Sequence, residues 1–240
     1  MEIKDTVVIV TGASSGIGKA TAELFAKKGA KVALVARSED SLKELEKKLP
    51  NSFAIVADMR KREDIKRMVE ETIKHFGTVD ILINNAGRGY DSFVENIDPD
   101  TYTELFQLNL LAPILAMQHV IPIMKKKKSG FIMNVSSGTA LMNIPNLSAY
   151  SSLKKALAGI SGTAQEELKD DGITVSVVYP FITRTNFAKN VMGKARTEDS
   201  YNNPDLPPAD TPEHVAEKII QAVEENQTEV FAHDWMKENK

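Results

Sequence analysis

The chain has 240 residues, 42% of them hydrophobic, and no cysteine, which supplies apolar material for one large core and excludes disulfides and thiolate chemistry. A formal net charge of −3 from 30 basic and 33 acidic residues gives no basic surface for nucleic acid. The N-terminus runs from Met1-Glu2-Ile3-Lys4-Asp5 into an apolar stretch without a leader-like region, and no apolar run approaches the ~18 residues of a membrane span, so a cytoplasmic protein is expected.

Apolar runs of strand length fall at 7–10, 32–35, 53–56, 81–83, 131–135, 175–178 and, more weakly, about 230–231. They are nearly continuous rather than alternating, as in strands buried on both faces of a parallel sheet. Between them, 19–28, 38–49, 62–75, 99–124, 149–168 and 211–226 carry apolar residues at helical spacing. Ser38 and Thr211-Pro212 suit helix starts, and Gly29 and Gly77 suit helix ends. The alternation predicts an α/β fold: a Rossmann-type, doubly wound sheet of about seven parallel strands with helices on both faces, in one domain over 1–240. The polar, proline-bearing stretch 185–210 reads as a flap over a site. Lys125 to Lys128 reads as a solvated helix end.

After the first run comes Thr11-Gly12-Ala13-Ser14-Ser15-Gly16-Ile17-Gly18. Glycines between a buried strand and a helix let the backbone approach a pyrophosphate, whose charge the helix N-terminal amides then hold. The second run ends at Ala36-Arg37-Ser38. An NAD site there usually has a carboxylate for the ribose 2′-OH, whereas an arginine fork suits a 2′-phosphate, so Arg37 and Ser38 favour NADP(H); the plainer reading is a solvated loop arginine. Asp58, followed by Met59, ends the third run as an adenine-amino acceptor or a helix cap. Asn84-Asn85-Ala86-Gly87 offers small residues beside a cofactor and amides that tie strand ends together. Pro113 removes the donor for the carbonyl of Asn109, which predicts a kinked helix with an exposed acceptor; a helix merely bent around the core is the alternative.

The fifth run ends Asn134-Val135-Ser136-Ser137, where only one serine can face a site. Tyr150 and Lys154 lie four apart, on one face of a helix. A fixed cation beside a phenol favours the phenolate and brings it toward use at neutral pH; an ordinary amphipathic surface has the same spacing. The histidines at 75, 119, 214 and 233 are scattered without ligand spacing, so no metal is expected.

In order and spacing these residues resemble the short-chain dehydrogenase/reductase family, from Thr6 to about Phe231. The resemblance rests on TGASSGIG, Asp58, Asn84-Asn85-Ala86-Gly87, Asn109, and Ser137 thirteen positions before Tyr150 in Tyr150-Ser151-Ser152-Leu153-Lys154. It implies hydride transfer between nicotinamide and a carbonyl or secondary alcohol, with Tyr150 as acid/base and Ser137 polarising the substrate oxygen. Lys154 would bind the nicotinamide ribose and lower the tyrosine pKa, and Asn109 would hold a relay water through its carbonyl. Pro180, Thr183 and Thr185 would meet the cofactor, and a homodimer or homotetramer is implied.

The chain departs from the family pattern in three places. Phe181 replaces a usual glycine after Pro180, Ser15 stands where many NADP-preferring relatives are basic, and the chain ends near Lys240 without the glycine-rich segment of the 3-oxoacyl carrier-protein reductases. Leu141, Met142, Phe181 and Phe187 are candidate pocket walls for a small-molecule substrate, with Tyr90 at the rim. The expected activity is an NADP(H)-dependent carbonyl reductase or alcohol dehydrogenase. A 3-oxoacyl-[acyl-carrier-protein] reductase and a non-catalytic nucleotide sensor are the alternatives.

Overall fold

A computed structural model describes residues 1–193 and 208–239. In chain order its elements are β1 (Val7–Thr11), α1 (Gly16–Lys27), β2 (Lys31–Ala36), α2 (Glu39–Lys48), β3 (Ser52–Val56), α3 (Arg62–Phe76), β4 (Ile81–Asn84), β5 (Tyr90–Asp91), α4 (Pro99–Phe106), a π-helical turn (Gln107–Leu111), α5 (Ala112–Lys127), β6 (Gly130–Val135), α6 (Ser148–Leu168), β7 (Ile173–Tyr179), β8 (Met192–Gly193), α7 (Pro212–Glu225) and β9 (Glu229–Phe231). Seven strands form one parallel sheet in the order β3-β2-β1-β4-β6-β7-β9.

The continuous apolar runs are explained by two cores, one on each face of the sheet. Val8, Val10, Val32, Leu34, Ile81 and Ile83 pack with α1, α2 and α7 through Phe25, Leu42 and Ile219. Their strand neighbours Ile9, Ala33, Val35 and Leu82 pack on the opposite face with α3, α5 and α6 through Met68, Val120 and Leu168. Strand side chains alternate, so only an unbroken apolar run satisfies both faces. Each fully buried Leu, Ile or Phe contributes about 1.5–3 kcal/mol over exposure.

The helix signals resolve individually. Thr211 caps α7 by accepting from the His214 amide at 3.2 Å, with Pro212 in the first turn. Gly77 ends α3 in the left-handed region at φ 88°. Ser38 stands at the start of α2, yet its hydroxyl meets Ser41 Oγ at 2.9 Å instead of a backbone amide. The lysine run is more than a solvated helix end: Lys127 pairs with Asp80, while Lys125 and Lys128 both reach Asp171.

Residues Pro99–Lys127 form a 29-residue stretch long and apolar enough to cross a membrane by length and composition. Its apolar residues Leu105, Ala116, Val120 and Met124 are buried in the cores instead. Just ahead of Pro113 the helix carries the π turn, in which the Ala112 amide donates to Gln107, five residues back. The expected flap at 185–210 falls largely outside the described residues; its first part forms β8, which pairs parallel with β5.

Candidate active site

The chain winds outward from β1 to β3 and returns at β4 on the other side of β1. The carboxyl ends of β1 and β4 therefore flank a crevice, the usual ligand position in such sheets. At its floor the Thr11 hydroxyl donates to the Ile83 carbonyl (3.2 Å) and accepts from the amides of Asn85 (2.9 Å) and Ala86 (3.0 Å). Asn85 returns the tie, its Nδ2 donating to the Thr11 carbonyl at 2.9 Å. Thr11 was visible in the sequence only as the first letter of the glycine motif; its hydroxyl is what joins the two loops.

Gly12 adopts φ 71° and so needs no side chain. Gly18 is required by proximity, because a Cβ there would lie 2.3 Å from the Gly12 carbonyl oxygen. The helix α1 opens after extended Ser15 with no side-chain cap and no acidic residue in its first turn. Its first amides, with Ser14, Gly16 and Ile17 around them, are donors available to an anion. Thr185 lies over this turn, 3.0 Å from where a Cβ on Gly16 would stand.

Arg37 and Ser38 follow β2 and are exposed. Arg37, Arg60 and Arg88 line one cleft with Glu104, Leu105, Leu108 and Met192. Asp58 does not stand at the cap of α3. Its carboxylate accepts from Arg60 Nε (3.0 Å) and Nη2 (2.7 Å), and Lys61 occupies the start position of α3. The Arg60 guanidinium holds the Asp58 carboxyl down to about 2. The Met59 side chain is buried in the core with Ile55 and Ile65.

Asn84 and Asn134 tie β4 to β6 (2.8 Å), and Asn134 Nδ2 donates on to Ser161 of α6 at 2.8 Å. Asn109, fully buried in the π turn, clamps the segment after Gly87: its Nδ2 donates to the Arg88 carbonyl at 2.7 Å and its Oδ1 accepts from the Arg88 amide at 3.0 Å. A Cβ on Gly87 would lie 2.8 Å from Asn109 Oδ1 and 3.6 Å from Lys154 Nζ.

The two serines diverge as strand alternation requires. Ser136 Oγ donates to the Lys154 carbonyl at 2.9 Å and is buried; Ser137 Oγ accepts from the Thr139 amide at 3.2 Å and hydrogen-bonds Tyr150. Lys154 Nζ donates to the Val135 carbonyl at 2.8 Å and lies 5.8 Å from the Tyr150 ring centre. Tyr150 is 8% exposed and Lys154 4%. Burial pushes the phenol up to about 12, the Ser137 hydrogen bond opposing, and burial pushes the ammonium down to about 8. The expected lowering of the phenol is thus reversed: desolvation penalises both charged forms.

Pro180 accepts the Gly138 amide at 2.7 Å, and Thr183 is buried, with its hydroxyl on the Phe181 carbonyl at 3.0 Å. Phe187 stands 5.9 Å from the Tyr150 ring, whereas Phe181 turns away to Trp235 at 5.0 Å. Tyr90 is buried and caps the Asp98 amide at 3.0 Å, so it is scaffold rather than rim. Leu141 packs beside Ala140 and Tyr179, and Met142 is half-buried. The histidines are not all scattered: His214 and His233 stack at 5.7 Å beside Asp210, whereas His75 stacks on Phe53 at 4.1 Å.

The family model described as short chain dehydrogenase matches residues 6–195. A 3-oxoacyl-[acyl-carrier-protein] reductase of Thermotoga maritima is 33% identical over 92% of this chain and 91% of its own. An uncharacterized oxidoreductase of Staphylococcus saprophyticus is 31% identical over 93% and 92%. Among solved structures, a 3-ketoacyl-(acyl-carrier-protein) reductase of Brucella melitensis complexed with NADH superposes with a TM-score of 0.85 at 27% identity, covering 92% of this chain and 91% of that one. A short-chain dehydrogenase/reductase of Caenorhabditis elegans with cofactor gives 0.87 at 28%, covering 98% and 100%. The glycine turn, the clamped asparagine loop and the Ser137–Tyr150–Lys154 cluster are therefore parts of an oxidoreductase acting on CH–OH and C=O groups, and the chain belongs to the short-chain dehydrogenase/reductase family.

Proposed function

We propose that the protein is an NADP(H)-dependent reductase of small carbonyl compounds, working as a cytoplasmic homo-oligomer. The observation that carries the chemistry is the buried Tyr150 beside the buried Lys154, whose Nζ lies 5.8 Å from the phenol ring centre, in a setting where burial raises the phenol. Such a phenol keeps its proton at neutral pH and is a donor to an oxygen that gains charge.

The residues present fit a dinucleotide. The open N-terminus of α1 suits a pyrophosphate, and Gly12 and Gly87, where a Cβ would meet Asn85 and Asn109, keep the backbone bare at the crevice. When bound, the nicotinamide supplies the hydride. Ser137 orients the substrate oxygen and Tyr150 gives it the proton. Lys154 would hold a ribose and place positive charge next to the phenolate that remains. Asn109 clamps the residue 87–88 segment and would hold the relay water through its carbonyl. Thr183 and Thr185 would meet the cofactor, and Phe187 lies against Tyr150.

The NADP preference rests on Arg37, which stands after β2 with no carboxylate in the family's NAD position and shares its cleft with Arg60 and Arg88. Titration with NADPH and NADH, followed by nicotinamide fluorescence, tests it. Arg37→Ala should weaken NADPH about tenfold and leave NADH unchanged; equal affinity of the unaltered protein for both cofactors would remove the assignment. A second reading, reduction of a carrier-bound 3-oxoacyl chain, is supported by the Thermotoga and Brucella relatives. Comparison of the same 3-oxo group free and on the carrier protein separates the two, because only the second reading predicts a large gain from the carrier.

A further inference from the structure

We infer that Asp210, His214 and His233 form a binding site for one divalent transition metal ion of the Zn2+ class, separate from the reduction site. Their ligand atoms all lie within 4.8 Å of one another. His233 Nε2 is 3.0 Å from Asp210 Oδ2, and His214 Nε2 is 3.9 Å from Asp210 Oδ1. With metal–ligand bonds of ~2.0–2.2 Å, two donors on a tetrahedral ion stand about 3.3 Å apart, so the set closes on an ion by shifts of about 1 Å or less at these pairs. The Ala232 carbonyl oxygen, 3.2 Å from His214 Nε2, is a fourth donor within reach.

Two imidazoles with one carboxylate suit a borderline-soft ion; Mg2+ and Ca2+ prefer all-oxygen shells. The surroundings favour occupancy. The Asp210 side chain is 9% exposed while His214 and His233 are 37% and 29% exposed, so an anionic base is seated and an entry path remains. Trp235 stacks on His233 with ring planes 11° apart, and Phe181 meets it edge-on, which hold the His233 ring in place. The donors come from three segments of the chain: the bridge between Thr183 and Asp210, the first turn of α7, and the stretch after β9. A bound ion therefore fastens the C-terminal turn to the segment that carries Thr183.

The competing account is a plain hydrogen-bonded His–Asp tie with no affinity for metal. Isothermal titration of the chelator-treated, full-length protein with Zn2+ distinguishes them. One equivalent bound, with a raised unfolding temperature, and at least a tenfold loss of affinity in both His233→Gln and Asp210→Asn, is the expected result. Substitution by Co2+ should give the intense visible absorption of a four-coordinate N/O site. Should the variants fold poorly, long-range imidazole 1H–15N spectra of the unaltered protein decide: Zn2+ should move His214 and His233 and leave His75 and His119 in place. Absence of stoichiometric binding, binding unchanged in both variants, or imidazole shifts at His75 or His119 alone would overturn the site.

Discussion

The two sides of the crevice are built by different means. On the β1–β4 side the site is backbone: Gly12, Gly18, Gly87 and the first amides of α1, locked by Thr11, Asn85 and Asn109 through hydrogen bonds of 2.7–3.2 Å. On the β6–β7 side it is side chain: Ser137, Tyr150, Lys154 and Phe187, brought together from three separate segments of the chain. The first arrangement has little slack, because a Cβ on Gly18 meets the Gly12 carbonyl and one on Gly12 or Gly87 meets the side-chain amide of Asn85 or Asn109. The second trades stability for reactivity, since burying a phenol and an ammonium side by side penalises both charged forms.

The largest effect is expected from Tyr150→Phe, which should lower turnover with NADPH by about 10²–10⁴-fold while leaving NADPH affinity within about twofold; preserved turnover would remove Tyr150 from the chemistry. Gly18→Ala comes next. The added Cβ meets Gly12 O and Asn85 Nδ2 at 2.3 and 2.4 Å, so chemical denaturation should show a loss of about 2–3 kcal/mol, and an unchanged midpoint would contradict the tight-floor picture.

Lys154 gives a pH-dependent test. Its folded pKa, about 8, lies below the ordinary 10.5, so between pH 8 and 10.5 the unfolded chain binds the extra proton and stability rises with pH across that window. Tyr150 acts in the opposite sense only above about pH 10, as the unfolded phenol ionises before the folded one. Relative to Lys154→Met, the unaltered protein should gain about 1–3 kcal/mol from pH 8 to 10, taking about 1.4 kcal/mol per pK unit; parallel curves would show that the ammonium is not held in a dry site. The smallest effect is expected at Phe187, which is 38% exposed. Phe187→Ala should raise KM for a ketone by up to about tenfold and change stability by less than about 0.5 kcal/mol; an unchanged KM would take it out of the substrate wall.

Much of the first side was legible in the sequence because its parts are contiguous. A glycine turn between strand and helix, and an asparagine pair at a strand end, are short-range patterns whose geometry follows from the local backbone. Partners the local pattern does not show also shape the site. Asp58 reads alone, yet Arg60, two residues on, meets both of its oxygens. Phe181 packs edge-on against Trp235 and His233 from the far end of the chain. Tyr90 found a backbone amide to cap, as buried phenols tend to.

By itself the sequence determined the parallel α/β layering, since period and run length decide which faces are buried, and it determined the order of the motifs along the strand ends. Only the tertiary structure decided the rest. The π turn at Gln107–Leu111 is a shift of backbone register that side-chain periodicity does not report. The raised phenol and lowered ammonium come from burial by neighbours distant in sequence. The meeting of His233 with Asp210 and His214 needed β9 to pair beside β7; the separation of 23 positions between His233 and its hydrogen-bond partner Asp210 becomes a contact only when the sheet closes it.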